Sequence, residues 1–263
     1  MAGRLIVEQR GAVAVLTLSN PAKRNALDPA LCQELTRALP GLAPAGVRAA
    51  VLTGDEQGKA FCAGFDLEAL AAAGAGDSPG AADALFEQVL VAMAACPVPL
   101  VGALGGAAMG GGCELAAACD FRVAHATVKL GLPPARLGIV YATRGLARLA
   151  AICGESRARQ LFLLARTISA DEAQTWGLVD FLVGEHEVLP RALAMAGEIS
   201  ELAPLAVQGM RVGFESVLRR RAALEGADLA DVSARREAAW RSEDAAEGRR
   251  AVSERRKPDF RGR

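Results

Sequence analysis

Histidine, tyrosine and lysine are nearly missing from this chain of 263 residues, which holds two histidines, one tyrosine (Tyr141) and only Lys23, Lys59, Lys129 and Lys257 as lysines. Aromatic residues make up 4% of it, so alanine, leucine and valine must fill the core. Neither His125 nor His186 sits in a catalytic-looking context, and no Gly-x-Ser-x-Gly elbow occurs, which argues against a serine hydrolase. Net charge is lacking too. Thirty basic and thirty acidic residues cancel, which disfavours nucleic acid or an anionic membrane as the main partner. No apolar run approaches the roughly 18 residues of a membrane span, and the first residues carry no signal-peptide pattern. The cysteines (Cys32, Cys62, Cys96, Cys113, Cys119 and Cys153) are scattered, with no Cys-x-x-Cys pair and no histidine cluster nearby. These absences predict a reduced, cytoplasmic protein without a metal site.

What is present reads as α/β. Leu5–Gln9 and Val13–Ser19 are β-rich runs around Arg10-Gly11-Ala12, a hairpin pattern. Asp28-Pro29 opens a helix to about Leu39, with Asp as N-cap and Pro in the first turn. Strands follow at 48–54 and 98–104, helices at 81–95 and 110–119, and strands again at 121–124 and 127–130. Beyond residue 143 the pattern is mostly helical, with one strand near 179–183 and no internal repeat. A helix from Pro204 carries an apolar stripe of Val207, Met210, Phe214, Val217 and Leu218, and Ser242 caps the last helix. Gly74–Gly80 reads as a surface insertion that follows the first motif described below.

Two glycine-containing stretches carry the chemistry. Gly110-Gly111-Gly112-Cys113-Glu114 takes a strand into a helix whose first amides have no intrahelical acceptor. Without Cβ atoms these amides are open to close approach by a ligand oxygen, and the helix dipole favours negative charge there. Positions three apart share a helix face, so the Glu114 carboxylate is expected beside the Gly111 N–H. The plainer alternative is tight packing of Gly and Ala on a sheet, with Glu114 capping or exposed. A dinucleotide loop is set aside, because Gly-x-Gly-x-x-Gly is missing between Gly102 and Gly112. Ala60-Phe61-Cys62-Ala63-Gly64-Phe65-Asp66-Leu67 repeats the same logic, with an amide at Phe65. Two such turns, each after a strand, can converge at one sheet edge.

Together these stretches resemble the paired signature of the enoyl-CoA hydratase/isomerase, or crotonase, superfamily. The resemblance extends to Asn20-Pro21-Ala22-Lys23-Arg24-Asn25-Ala26-Leu27, to Trp176-Gly177-Leu178-Val179, and to the ending Lys257-Pro258-Asp259-Phe260. It implies a ClpP-like spiral of ββα units over residues 1–200, and a C-terminal helical trimerisation region over 201–263. It also implies homotrimers, or dimers of trimers, acting on an acyl-CoA thioester whose coenzyme A belongs to the substrate rather than being a cofactor. By position, the amides of Phe65 and Gly111 would hold the thioester oxygen and Glu114 would handle protons. Lys23, Arg24, Ala63, Asp66 and Leu67 would contact CoA, with Lys257 and Phe260 reaching a neighbouring subunit's site.

The pattern departs in one place. Hydratases of the family use a second glutamate where this chain has Pro134, in Leu132-Pro133-Pro134-Ala135-Arg136-Leu137-Gly138-Ile139. Tyr141 shortly after it resembles the methylmalonyl-CoA decarboxylase branch, although Phe65 stands where that branch commonly has histidine. Tyr141 could equally be a packed core residue, and Arg144 is expected in a surface salt bridge. A hydratase-type lyase is the leading expectation. Decarboxylase or enoyl-CoA isomerase comes next, and a non-catalytic acyl-CoA or protein binder last.

Overall fold

The computed structural model describes residues 2–66, 79–223 and 225–263; Leu67 and residues 74–78 of the insertion lie outside them. The N-terminal hairpin is present as β1 (Arg4–Arg10) and β2 (Val13–Ser19), paired antiparallel from Arg4 opposite Ser19 to Arg10 opposite Val13. A turn through residues 20–27 leads to α1 (Pro29–Gly41). Asp28 accepts from the Leu31 N–H at 2.8 Å, an N-cap that contributes about 1 kcal/mol.

Three ββα turns follow. They are β3 (Ala49–Gly54), β4 (Ala60–Cys62) and α2 (Pro79–Ala95); β5 (Leu100–Leu104), β6 (Ala107–Met109) and α3 (Gly111–Ala118); and β7 (Phe121–His125), β8 (Lys129–Gly131) and α4 (Thr143–Cys153). The chain continues through α5 (Glu155–Leu163), β9 (Thr167–Ser169), α6 (Ala170–Thr175), β10 (Phe181–Val183) and α7 (Val188–Ser200). The first strand of each turn joins a six-stranded sheet ordered β1-β2-β3-β5-β7-β10, and the second joins a four-stranded sheet ordered β4-β6-β8-β9. Pairing is parallel except at β1/β2 and β8/β9. This is the expected spiral, and its repeat lies in backbone geometry rather than in residue identity.

Strand composition follows from two-sided burial. In β3, Ala50 and Leu52 face the main core, while Ala49 and Val51 meet Val188, Ala192, Met195 and Ala196 of α7. A strand covered on both faces reads as a continuous apolar run instead of an alternation. Each fully buried leucine of this layer, such as Leu16 or Leu52, contributes about 1.5–3 kcal/mol.

The C-terminal region is α8 (Pro204–Ala222), α9 (Gly226–Arg241) and α10 (Glu243–Ser253). Two charged anchors fix α8 to the core. Buried Arg211 donates to Asp120 Oδ2 at 2.9 Å and to the carbonyls of Met93, Ala94 and Cys96 at 2.8, 3.2 and 2.6 Å. One turn on, Glu215 pairs with buried Arg148 of α4 at 3.1 Å. The apolar stripe of α8 faces outward, with Met210 61%, Phe214 79% and Val217 54% exposed. Ser242 caps α10 by accepting from the Ala245 N–H at 3.0 Å, as expected. The helix then lies directly on the turn at 137–138, where a Cβ on Gly248 would stand 2.7 Å from the Leu137 carbonyl carbon. No helix among the described residues is long and apolar enough to cross a membrane.

Candidate active site

The two glycine stretches meet where the second and first turns of the spiral abut. β6 delivers the chain to Gly110, whose φ of +52° and N–H bond to the Gly131 carbonyl (2.8 Å) set the start of α3. All eight residues of α3 are buried, including the Glu114 side chain. That rules out an exposed glutamate. The helix packs backbone to backbone on β4, since a Cβ on Gly112 would lie 2.7 Å from that of Cys62.

The first stretch reaches the same point from β4, the strand beside β6. Gly64 has φ +97°, and a Cβ there would stand 2.8 Å from the Met109 carbonyl oxygen and 3.4 Å from the Gly111 nitrogen. Its carbonyl accepts from the Leu27 N–H (2.7 Å), and the Asp66 N–H donates to the Leu27 carbonyl (2.8 Å). Consecutive amides of extended chain point to opposite sides, so the Phe65 N–H faces away from Leu27. The Gly111 N–H, at the first position of α3, has no acceptor within its helix. The two stretches thus leave neighbouring strands of one sheet, β4 and β6, and come together at the start of α3.

The donors open onto a cavity of about 380 Å³ whose wall includes Ala63, Gly64, Phe65, Gly110, Gly111 and Glu114. The phenyl rings of Phe65 and Phe86 meet edge to face at 4.7 Å and form one apolar side. Pro134 also lines the cavity, in a turn that closes through Leu137 N–H to the Pro134 carbonyl at 2.9 Å. Tyr141 also faces the cavity. Its ring leans on Phe162 at 5.2 Å, and its hydroxyl lies 3.9 Å from where a Cβ on Gly110 would be. The Glu114 carboxylate rests against Gly145 in the first turn of α4. Arg144 pairs with Glu87 at 3.2 Å, the salt bridge expected of it, and Glu87 sits on the cavity rim. Cys62 and Cys113 lie close by, but burial pushes both thiols up to about 12, which keeps them protonated at neutral pH.

This arrangement coincides with a match of residues 8–263 to the enoyl-CoA hydratase/isomerase family. The chain belongs to that family. It is 38% identical over 261 residues to a Mycobacterium tuberculosis (strain CDC 1551 / Oshkosh) protein named "Probable enoyl-CoA hydratase echA6", covering 97% of this chain and 98% of that one. It is 34% identical over 264 residues to the 2,3-dehydroadipyl-CoA hydratase of Escherichia coli (strain K12), covering 98% and 99%. The fold superposes on methylmalonyl-CoA decarboxylase in complex with 2-nitronate-propionyl-CoA with a TM-score of 0.90, at 28% identity and 98% coverage of both chains.

Not every expected contact of this family member gathers at the cavity. Ala63 lines it, and Lys23 pairs with Asp66 at 3.8 Å just beyond it. Arg24 is exposed in a left-handed turn (φ +53°) held by Asn25, whose side-chain amide donates to the Asp55 and Ala60 carbonyls at 2.9 and 2.8 Å. Leu67 lies outside the described residues. Lys257 and Phe260 are exposed after α10 and are not among the described residues lining the cavity. Sequence reasoning missed the roof, which consists of Arg236 and Trp240 of α9 and Val252 of α10. Arg236 is held there by donating to the Val140 carbonyl at 3.3 Å. These residues carry no motif, and only the return of the C-terminal helices over the core brings them near.

Proposed function

We propose that the protein turns over acyl-CoA thioesters through an enolate, and that hydration of a 2-enoyl thioester is its leading reaction. The observation that carries this reading is the close approach of Gly64 to the start of α3 beside a buried Glu114 side chain, which would let the Phe65 and Gly111 N–H groups act on one oxygen. Bound between the two amides, the thioester oxygen becomes an oxyanion as water adds at C3. Each preorganised donor of this kind is worth about 2.7–4 kcal/mol in the transition state. Glu114 takes a proton from the attacking water and returns one to C2, so a single carboxylate serves both halves. Ala63, Asp66 and Leu67 line the CoA arm, with Lys23 or Arg24 near its nucleotide end. Lys257 and Phe260 close the site from a neighbouring subunit of a homotrimer, in which the exposed stripe of α8 finds its cover. The balanced charge and the buried, reduced cysteines fit a cytoplasmic enzyme.

A second reading is decarboxylation of a methylmalonyl-CoA-type substrate, and Pro134 and Tyr141 favour it. Proline supplies no second acid for hydration, and the Tyr141 hydroxyl beside Gly110 is suited to protonate an enolate after carbon dioxide leaves. Steady-state turnover of crotonyl-CoA, a 3-enoyl-CoA and methylmalonyl-CoA by the parent and by Glu114→Gln separates the two. Hydration is expected to fall roughly 10²–10⁴-fold in Glu114→Gln. Decarboxylation that survives the change would put the second reading first. Failure to bind any acyl-CoA would overturn both.

A further inference from the structure

We infer that Gly145 is a positioning residue for Glu114, holding its carboxylate at the cavity by leaving room for it against the backbone of α4. The inference rests on the proton-handling role proposed for Glu114. A Cβ built on Gly145 meets three atoms before any other, and all belong to the Glu114 carboxyl group. Oε1 would be in hard overlap, Cδ would be at 3.0 Å and Oε2 at 3.5 Å. The side chain therefore crosses from α3 and seats its charged end on the one spot of α4 that has no side chain.

Neither local backbone geometry nor helix propensity calls for glycine here. Gly145 is the third residue of α4, it is not among the positive-φ glycines, and glycine is the poorest helix former after proline. Alanine would suit the helix better. A residue kept against its local preference points to a demand from elsewhere in the fold, and the only demand in sight is the carboxylate. The helix has little freedom to back away. Arg144 is tied to Glu87 at 3.2 Å and Arg148 to Glu215 at 3.1 Å, which pins α4 on both sides of Gly145. A methyl group at 145 therefore displaces the end of a side chain and leaves the backbone in place. A shift of about 1 Å in a reacting group is enough to cost roughly 10²-fold in rate.

The test is a cycle of Gly145→Ala, Glu114→Asp and the double variant, with Glu114→Gln alongside. It is read as kcat and KM on whichever acyl-CoA the parent turns over, with a thermal melt of each protein. Gly145→Ala is expected to lower kcat roughly 10²-fold, to leave KM within about twofold, and to melt no lower than the parent. The shorter aspartate withdraws the carboxylate from Gly145, so adding Gly145→Ala to Glu114→Asp should change kcat less than about threefold. An equal loss in both backgrounds, or a lowered melting temperature, marks a packing lesion and overturns the inference. So does a parental kcat in Gly145→Ala while Glu114→Gln is dead. Parental turnover by Glu114→Gln overturns the role of the carboxylate itself and the inference with it.

Discussion

Arg211 is one of the two charged anchors that tie α8 to the spiral, and replacing it with alanine tests that arrangement quantitatively. The guanidinium donates four hydrogen bonds, one to the Asp120 carboxylate at 2.9 Å and three to the carbonyls of Met93, Ala94 and Cys96. Taken singly, hydrogen bonds to a charged group contribute about 1.5–3 kcal/mol each, and a naive sum would reach about 6–12 kcal/mol. That sum is too large. The Asp120 side chain is 26% exposed and keeps the Leu100 N–H at 2.7 Å, so it is not stranded when Arg211 goes. The three carbonyls close the end of α2, where water can follow the lost side chain. The expected cost is therefore about 3–5 kcal/mol, the range for breaking a buried pair. At roughly 2–4 °C per kcal/mol, the melting temperature should fall by about 6–20 °C. Arg211→Lys keeps the charge but not the fork, and should lose about half as much. Urea unfolding followed through Trp176 and Trp240 reads both variants. Because α9 and its roof residues follow α8, KM for acyl-CoA should rise more than kcat falls. A loss under about 1 kcal/mol, typical of a surface substitution, would refute the view that α8 is held by this anchor.

Two further perturbations probe the site and its cover. Tyr141→Phe removes a hydroxyl while the ring stays packed on Phe162, so the protein should melt within a few degrees of the parent. Decarboxylation should drop roughly 10²-fold or more if the hydroxyl is the proton donor, whereas hydration should be little changed; equal effects on both reactions would contradict the role given to Tyr141. At the other end of the chain, hydrogen bonds from Arg256 foremost, and then from the Asp259 N–H, hold the Glu247 carboxyl down at about 2 against its ordinary 4.5. A folded value below the unfolded one means that the contribution is complete above about pH 4.5 and is lost as the pH falls through about 2. Hydrogen exchange of the segment after α10 should accelerate across that window in the parent. In Glu247→Gln the segment should be loose at every pH; a parental profile in that variant would show that the ion pair does not hold it.

Much of the fold could be read before any coordinates. Asp28-Pro29 marked the start of α1 because an N-cap and an N1 proline act locally, and the runs at β2, β3 and β5 stood out because burial on both faces removes polar residues from them. The second sheet did not stand out. β4, β6 and β9 are three residues each, Ala60–Cys62, Ala107–Met109 and Thr167–Ser169, too short for any period, and their pairing is set entirely by distant chain. This also hides the structural repeat. For the site, the two glycine stretches and Glu114 were legible because glycine spacing and helix starts are local signals. The stripe on α8 was legible as a face, but its period says nothing about what covers that face. Trp240, Arg236 and Val252 left no trace, since their proximity to Glu114 depends on how α9 and α10 fold back. Gly145 could be seen as a glycine in a helix, but only its distance to Glu114 gives that a meaning.

The roof has a consequence for how such a protein can change. The chain at Phe65 and Gly111 is locked by the β4/β6 pairing and by backbone-on-backbone packing at Gly64 and Gly112, so almost any alteration there disturbs the cavity wall itself. Arg236, Trp240 and Val252 belong to helices that contribute no strand to either sheet and rest on the core from outside, α9 through Arg236 on the Val140 carbonyl and α10 through Gly248 on the turn at 137–138. The roof and the paired glycine stretches therefore occupy separable parts of the gene. A library confined to positions 236, 240 and 252 varies the cover of the cavity while the Gly64–Phe65 and Gly110–Glu114 stretches, all before residue 115, are inherited unchanged.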